Sequence, residues 1–221
     1  MKPEELEAKV QALTRNIEEL ETKLQAQEDI EAIKKLQRAY GYYLEHWQEQ
    51  QIVGLFSHSP EVSVEIHDTG LYKGWEAVRK SFNFPIHYTA FDGEKTAPPE
   101  FLHILMPING IVDLDPDGKT AKGRWYGYGM VALIRGGKLR PSIGCGIWEN
   151  EYIKEDGTWK ILKLFWNQIF GSPLEEGWVK TPYLPNPPNK DRPPMGPNTH
   201  PATYPSGYIF PYHYKNPVTG K

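Results

Sequence analysis

The stretch from residue 117 to residue 164 combines side chains that could do chemistry with the pattern of long β-strands. Runs rich in Trp, Tyr, Ile and Val are separated by Asp-Gly and Gly-Gly pairs, which favour hairpin turns. Within these runs lie Arg124, Tyr126, Asn150 and Tyr152. A guanidinium, two phenols and a carboxamide on strands with an otherwise core-like composition predict the lined wall of a ligand pocket.

The strand around residue 124 allows two alternative pocket linings. Side chains alternate between the faces of a strand, so Arg124 and Tyr126 share one face and Trp125 with its flanking glycines shares the other. We favour the Arg124 face as the pocket lining, because a permanent positive charge would stabilise a phenolate or oxyanion. With the Trp125 face inside, the glycines would leave room for a flat substrate over the indole.

Further aromatic and amide side chains fit the same pocket. Trp148, Asn150 and Tyr152 share one strand face, and Asn150 is a suitable hydrogen-bond donor inside an apolar pocket. Tyr40 and Tyr43 stand about one turn apart near the end of a predicted helix and can share a face. A buried tyrosine hydroxyl needs a hydrogen-bond partner, which a substrate can supply. The alternative interpretation is that these aromatic residues belong to the core.

The remaining motifs exclude several kinds of chemistry. The sequence has no Gly-rich phosphate loop, no GxSxG elbow, no HExxH pair and no Cys/His grouping with metal-ligand spacing. The single Cys145 is predicted to be a small core residue, excludes an intramolecular disulfide and favours a reducing, cytoplasmic setting. Proton transfer and oxyanion stabilisation remain, so we expect catalysis without cofactor or metal.

Composition favours a soluble protein that acts on a small molecule. A net charge of -3 over 221 residues gives no basis for a nucleic-acid or membrane partner. No apolar run approaches the ~20 residues that span a bilayer, and the N-terminus lacks the apolar core of a signal peptide. Aromatic residues make up 13% of the chain, an excess that favours a flat aromatic substrate.

The N-terminal segment has the periodicity of a coiled-coil helix. Its apolar seam consists of Leu6, Val10, Leu13, Ile17, Leu20 and Leu24. With β-branched residues at heptad position a and leucine at d, the seam mildly favours a two-stranded parallel association, and we expect a homo-oligomer, a dimer or trimer. The alternative is an amphipathic helix packed on its own domain. The seam slips after Leu24, which predicts a helix break near residues 25–29 with Asp29 as the N-cap.

We divide the chain into an N-terminal coiled-coil-like helix (1–28), an α+β domain (29–171) and a Pro/Tyr-rich extended C-terminal arm (172–221). In the domain, the order helix, helix, strand, helix and four long antiparallel strands predicts helices on one face of a curved sheet. Most of the prolines follow residue 172, where they exclude regular strands. The many tyrosines there favour an ordered arm lying over its own domain or over a neighbouring subunit.

Several motifs between residues 28 and 170 resemble the SnoaL-like family, a branch of the nuclear transport factor two-like superfamily. They are AYGYYLEHWQEQQIVGLFS, LYKGWEAVRKSF, DGKTAKGRWYGYG and WENEYIKEDGTWKILKL. The resemblance implies a cone of bent antiparallel sheet around helices, with a deep cavity. Members of the superfamily include polyketide cyclases, dehydratases, a dehydrochlorinase, cofactor-free formaldehyde lyases that act on diarylpropanes or phenylcoumarans, and proteins without catalysis. The final PYHYKNPVTG is similar to the tail of one bacterial subgroup.

The resemblance also implies which residues move protons. In catalytic members a carboxylate near the end of the first domain helix pairs with a strand histidine, and the matching positions are Glu45 and His103. Such a carboxylate fixes the tautomer and leaves the other ring nitrogen as a base near neutral pH. Several relatives carry Asp where this chain has Glu45. Tyr43 matches the acid or orienting tyrosine of the superfamily's dehydratase.

Together these features predict a cofactor-independent lyase acting on a hydroxylated aromatic molecule. The most specific version releases formaldehyde from a lignin-derived diaryl compound and leaves a stilbene. A dehydratase or cyclase, or a non-catalytic binding scaffold, are the alternatives. The predicted catalytic residues are His103, Tyr43, Glu45 and Arg124. The predicted substrate-binding residues are Tyr40, His67, Tyr126, Trp148, Asn150 and Trp166.

Overall fold

A computed structural model describes residues 2–66, 69–82, 102–135, 138–184, 193–201 and 203–221, with only the backbone described at 133–135. The helices are α1 (Pro3–Glu45), α2 (Glu49–Val53), α3 (Trp75–Ser81) and α4 (Gly177–Lys180). The strands are β1 (Ser63–Ile66), β2 (Gly70–Lys73), β3 (Leu102–Leu114), β4 (Thr120–Arg135), β5 (Lys138–Glu155) and β6 (Thr158–Pro173).

The strands form one sheet in the order β2-β1-β6-β5-β4-β3. Every neighbouring pair is antiparallel except β1 and β6, which run parallel. The predicted α+β class and the curved antiparallel sheet are confirmed. The hairpin between β5 and β6 turns at Asp156 and Gly157, both with positive φ, as the Asp-Gly pair indicates.

Helix α1 runs unbroken over 43 residues, so the predicted break near residues 25–29 is wrong. No Gly or Pro occurs between residues 4 and 40, and Gln, Glu, Lys and Ala dominate the junction, so nothing there interrupts helical hydrogen bonding. Asp29 does not cap a helix. Its carboxylate accepts hydrogen bonds from Lys154 Nζ (2.7 Å) and Trp159 Nε1 (2.9 Å), which joins the middle of α1 to the sheet.

The second half of α1 packs on one face of the sheet, here called the inner face. Ile33, Tyr40 and Leu44 are buried there together with Trp125 and Trp148. The helix comes close to β3 at Gly41, where an added Cβ would lie 2.9 Å from Pro107 Cδ. A larger residue at this position would push the helix away from the strand that carries His103.

The opposite, outer face is covered by the last described parts of the C-terminal arm, residues 193–201 and 203–221. The Phe210 ring stacks on Phe165 of β6 with a centroid distance of 4.9 Å. Near its start the arm pairs with β2, because Leu71 N donates to Gly196 O (3.0 Å) and Met195 N donates to Leu71 O (2.8 Å). The described part of the Pro/Tyr-rich arm therefore lies on the sheet of its own chain. No described helix is both long and apolar enough to cross a bilayer.

Candidate active site at the end of helix α1

His103 lies on β3 against the last turn of α1. Its Nδ1 is 3.2 Å from Leu44 O, and its ring meets Trp47 edge to face with a centroid distance of 5.4 Å. A backbone carbonyl can only accept a hydrogen bond, so Nδ1 carries the proton. In a neutral imidazole the lone pair is then on Nε2, which has no hydrogen bond to any described residue. The fold thus fixes one tautomer of His103.

Burial lowers the pKa of His103 to about 4, and this effect outweighs the hydrogen bond to Leu44, which favours the charged ring. The imidazole is therefore neutral throughout the range around pH 7. It is a weaker base than the near-neutral histidine expected from the sequence. The compensating advantage is that nearly every molecule holds the basic form above about pH 5.

Glu45 and Tyr43 belong to the same last turn of α1, and both are partly buried. Tyr43 packs against the hydrophobic core. Neither a hydrogen bond nor an ion pair joins the Glu45 carboxylate to His103. The carbonyl of Leu44, one residue earlier, orients the imidazole instead. The Glu45–His103 pair implied by the resemblance is therefore not formed, and the orienting contact comes from the backbone.

The inner face beside this helix end is an aromatic wall. Tyr40 meets Phe82 and Trp148 edge to face, with centroid distances of 6.3 and 6.1 Å. Trp148 in turn packs on Trp166 at 4.7 Å. Burial raises the pKa of the Tyr40 hydroxyl, so this group stays protonated. These three predicted substrate-binding aromatics, Tyr40, Trp148 and Trp166, do come together.

The space beside Gly127, one of the two glycines that flank Trp125 on β4, is occupied, and so is the space beside Gly146 of β5. An added Cβ at Gly127 would lie 2.3 Å from the Trp166 ring, and one at Gly146 would lie 2.4 Å from it. The protein's own indole therefore fills the space above these glycines. The expectation that the glycines beside Trp125 leave room for a substrate is wrong at Gly127. Trp166, on β6, extends across β5 and occupies this space.

A neutral hydrogen-bond network lies deeper on the inner face. Gln37 Oε1 accepts from Asn150 Nδ2 and from Tyr152 Oη, both at 2.8 Å. Tyr152 Oη accepts from Trp125 Nε1 at 3.1 Å, and Asn150 Oδ1 accepts from Phe165 N at 3.1 Å. Gln37 Nε2 is buried and has no partner among the described residues. Asn150 is thus committed to contacts within the protein, and Gln37 holds the free donor.

Sequence reasoning missed Gln37. The available signal was its position on α1, seven residues before Leu44 and three before Tyr40. This spacing puts all three on one face of the helix. A glutamine on an otherwise apolar, domain-facing stripe was the only indication of a buried amide.

The prediction that Arg124 lines the pocket is wrong. Arg124 lies on the outer face, where Nη1 pairs with Glu149 Oε2 (3.1 Å) and donates to Pro211 O (2.8 Å). Its guanidinium carbon also lies 4.3 Å from the centre of the Tyr212 ring. Trp125 takes the inner position because it packs with Trp148, directly opposite on β5. Arg124 therefore attaches the C-terminal arm.

Two further predicted substrate contacts do not join the inner cluster. Tyr126 shares the outer face with Arg124, and 46% of it is exposed to solvent. The prediction that Tyr126 lines the pocket is therefore also wrong, because residues two positions apart on a strand lie on the same face. His67 lies outside the described residues.

Comparison with known proteins agrees with this architecture. A family model for the SnoaL-like domain matches residues 25–164, more than half of the chain. The chain belongs to the SnoaL-like domain family. The resemblance to the SnoaL-like family seen in the sequence is confirmed. No protein of curated function matches the chain.

Solved structures with the SnoaL-like fold include proteins named for different reactions. A protein from Novosphingobium aromaticivorans, provisionally named a scytalone dehydratase, has 16% identity and a TM-score of 0.54, with 79% of this chain and 97% of that one covered. A hexachlorocyclohexane dehydrochlorinase, LinA-type3 from Novosphingobium barchaimii, has 18% identity and a TM-score of 0.53, with 69% and 94% covered. At such identities the likeness shows the fold alone.

Metal binding finds no support in the described part of the chain. No three of its His, Cys, Asp or Glu side chains come together as a possible metal site. Burial raises the pKa of the Cys145 thiol, which disfavours the thiolate that a nucleophile or metal ligand needs.

Proposed function

We propose that this SnoaL-like protein is a cofactor-independent lyase that uses acid–base catalysis on a hydroxylated aromatic small molecule. The observation that carries the proposal is His103, a neutral imidazole whose Nδ1–H is bound by the Leu44 carbonyl and whose Nε2 has no hydrogen bond to a described residue. A fixed, unprotonated nitrogen beside an aromatic wall can remove a proton from a substrate that stacks on that wall. Tyr43, in the same helix turn, is proposed as the acid, and Glu45 as a second base.

The names of two structural relatives support elimination as the reaction type. A dehydratase removes water and a dehydrochlorinase removes hydrogen chloride, and each reaction pairs loss of a proton with loss of a leaving group. Elimination needs a base and stabilisation of the departing group, and needs neither nucleophile nor metal. His103 can act as the base, and Tyr43 in the adjacent helix turn can donate a proton to the departing group.

The more specific version acts on a diaryl propane-diol of the kind derived from lignin. The benzylic C–O bond breaks with a proton supplied by Tyr43, water leaves, and loss of the phenolic proton gives a quinone methide. His103 then takes the proton of the primary alcohol, the C–C bond breaks, and formaldehyde departs as the electron pair restores the aromatic ring. One diol thus gives one stilbene, one formaldehyde and one water, without an oxidant. Because Arg124 lies on the outer face, the free amide of Gln37 is the proposed donor to the phenolate.

The test is incubation of the purified protein with diaryl propane-diols, while formaldehyde and stilbene absorbance are measured. We expect equal amounts of both products. His103→Gln keeps a donor for the Leu44 carbonyl but removes the base, so kcat/KM should fall by about 10²–10⁴-fold. His46→Gln, the same change at an exposed histidine just past α1, should leave activity unchanged.

The outcomes separate the versions of the proposal. An alkene product without formaldehyde would replace the specific version with simple dehydration. No turnover of any hydroxylated diaryl compound, or full activity in His103→Gln, would contradict the catalytic proposal itself. Tight binding without turnover would identify a non-catalytic scaffold.

A further inference from the structure

The first half of α1 carries an apolar seam that the chain's own domain does not cover. Its six members are between 50% and 63% exposed, whereas Ile33, Tyr40 and Leu44 of the second half are buried. The members are Leu6, Val10, Leu13, Ile17, Leu20 and Leu24. A continuous stripe of this kind on an exposed helix normally marks an interaction surface.

The seam points away from the domain. When the heptad is continued past Leu24, the residues that face the sheet, Asp29, Ile33 and Gln37, fall at positions f, c and g. Glu31 and Arg38, the next two a positions, are exposed. The a/d side of α1 is therefore turned away from the sheet as far as Arg38, whereas Gly41, at the next d position, packs against β3. A second helix can lie on the seam without meeting the domain behind it.

The residues beside the seam differ in charge on its two sides. Position g holds Lys2, Lys9, Asn16 and Lys23. Position e holds Glu7, Thr14, Glu21 and Glu28. In a parallel pair each g residue faces the e residue five positions later on the partner. Lys2 would then face Glu7 of a second copy and Lys23 would face its Glu28. An antiparallel pair brings g to g and e to e, which would set lysine against lysine and glutamate against glutamate.

We propose that the seam is the interface of a parallel, in-register, two-stranded coiled coil formed with a second copy of this chain. Val10 and Ile17 at a with leucine at every d position up to residue 20 is the combination that favours two strands. The coil ends after Leu24, because Gln27, Glu31 and Lys34 follow at d, a and d. The two domains then lie side by side at the same end of the coil. This proposal is independent of the proposed reaction.

The first test is the mass of the full-length protein by light scattering and sedimentation. We expect the wild type to be a dimer and Leu13→Asp to be a monomer with its domain still folded, as judged by near-ultraviolet circular dichroism. Gln11→Asp puts the same charge at an exposed position outside the seam, so it should stay dimeric. A wild-type monomer, a trimer, or a dimer that persists in Leu13→Asp would overturn the proposal.

The second test concerns orientation. In the parallel pair Lys23→Glu faces Glu28, so the dissociation constant should rise, on the order of tenfold at low salt, and Lys23→Glu combined with Glu28→Lys should restore it. In an antiparallel pair the single change would set glutamate against lysine and would tighten association. Leu20→Cys in a Cys145→Ser background should form a disulfide-linked dimer, because equal d positions meet only in the parallel register. Absence of this cross-link, or tightening by Lys23→Glu, would overturn the parallel arrangement.

Discussion

The two faces of the sheet bury polar side chains in different ways. On the inner face Gln37, Asn150 and Tyr152 are almost fully buried and are joined by hydrogen bonds between neutral groups. On the outer face Arg124 pairs with Glu149, which also contacts His213 of the C-terminal arm. The inner face is covered by a helix with an apolar stripe, and the outer face by an arm with many backbone carbonyls and rings.

The degree of burial explains which face carries charged side chains. Complete removal of a charge from water is very costly, so the fully desolvated network of Gln37, Asn150 and Tyr152 uses neutral groups. The Asp29–Lys154 ion pair on the same face keeps 9% and 22% of its two side chains exposed. Arg124 keeps 12% of its side chain exposed and Glu149 keeps 15%, so their charges retain contact with solvent while holding the arm. From the sequence alone, the charged residue Arg124 on β4 is predicted to be catalytic. In the structure it attaches the arm, and the weakly basic, neutral His103 is the better candidate for proton transfer.

The largest effect is expected when Gln37, the centre of the inner network, is replaced. Gln37→Leu leaves the Tyr152 hydroxyl and the Asn150 amide without their buried acceptor, so the free energy of unfolding should fall by about 3 kcal/mol in urea titrations. The same substitution at exposed Gln11 should change it by less than about 0.5 kcal/mol. A Gln37→Leu protein of wild-type stability would mean that the network does not hold the inner face together.

The pH dependence of stability tests the environment of His103. The unfolded chain takes up the proton near pH 6.5 and the folded protein only near pH 4, so between these values the unfolded state binds more protons. Stability therefore falls as the pH drops from about 6.5 to about 4, and this residue adds no further change below. Between pH 7.5 and 5 the wild type should lose about 2 kcal/mol more than His103→Gln.

The matched control for this measurement is His46→Gln, which should keep the wild-type pH dependence because His46 is exposed. In the reaction assay, the acidic limb of kcat/KM should have its midpoint well below pH 6.5. Equal pH dependence in the wild type and in His103→Gln would show that the ring is not desolvated.

The outer face is tested by loosening the arm. Arg124→Met removes the ion pair to Glu149 and the hydrogen bonds to the carbonyls of Phe210 and Pro211. We expect a loss of about 1–2 kcal/mol, reduced from the value for a fully buried pair by the partial exposure. Limited proteolysis should cut the arm earlier than in the wild type, while Arg140→Met at an exposed strand position should behave as the wild type. An arm equally protected in Arg124→Met would remove this role for Arg124.

The smallest effect is expected for a substitution of Tyr126, in contrast to its neighbour Trp125 on β4. Tyr126→Ala on the outer face should change both stability and kcat/KM little, since the side chain is about half exposed. Trp125→Ala on the inner face removes a buried indole and the donor to Tyr152, so it should be strongly destabilising. A large loss of activity in Tyr126→Ala at wild-type stability would return the substrate to the outer face.

Much of the fold follows from local patterns in the sequence. The long strands and the Asp-Gly turns are signalled by β-branched and aromatic runs with glycine at their ends. The end of α1, the strand position of His103 and the aromatic stripe of Tyr40 and Trp148 could be predicted. Asp29 could not, because its partners Lys154 and Trp159 lie more than 120 positions away. A sequence separation of 113 positions likewise made the contact of Gln37 with Asn150 unpredictable.

Local patterns in the chain are enough to predict the strands, the alternation of Arg124 and Trp125, the heptad seam and the family. Which of the two alternating faces is inner depends on long-range packing. Alternation along a strand assigns side chains to two faces but does not say which face is buried against a helix. That is settled only when α1 packs on one face and the arm on the other. His103 acquires its neutral state in the same way, since a histidine has an ordinary pKa until the helix end removes water from its ring.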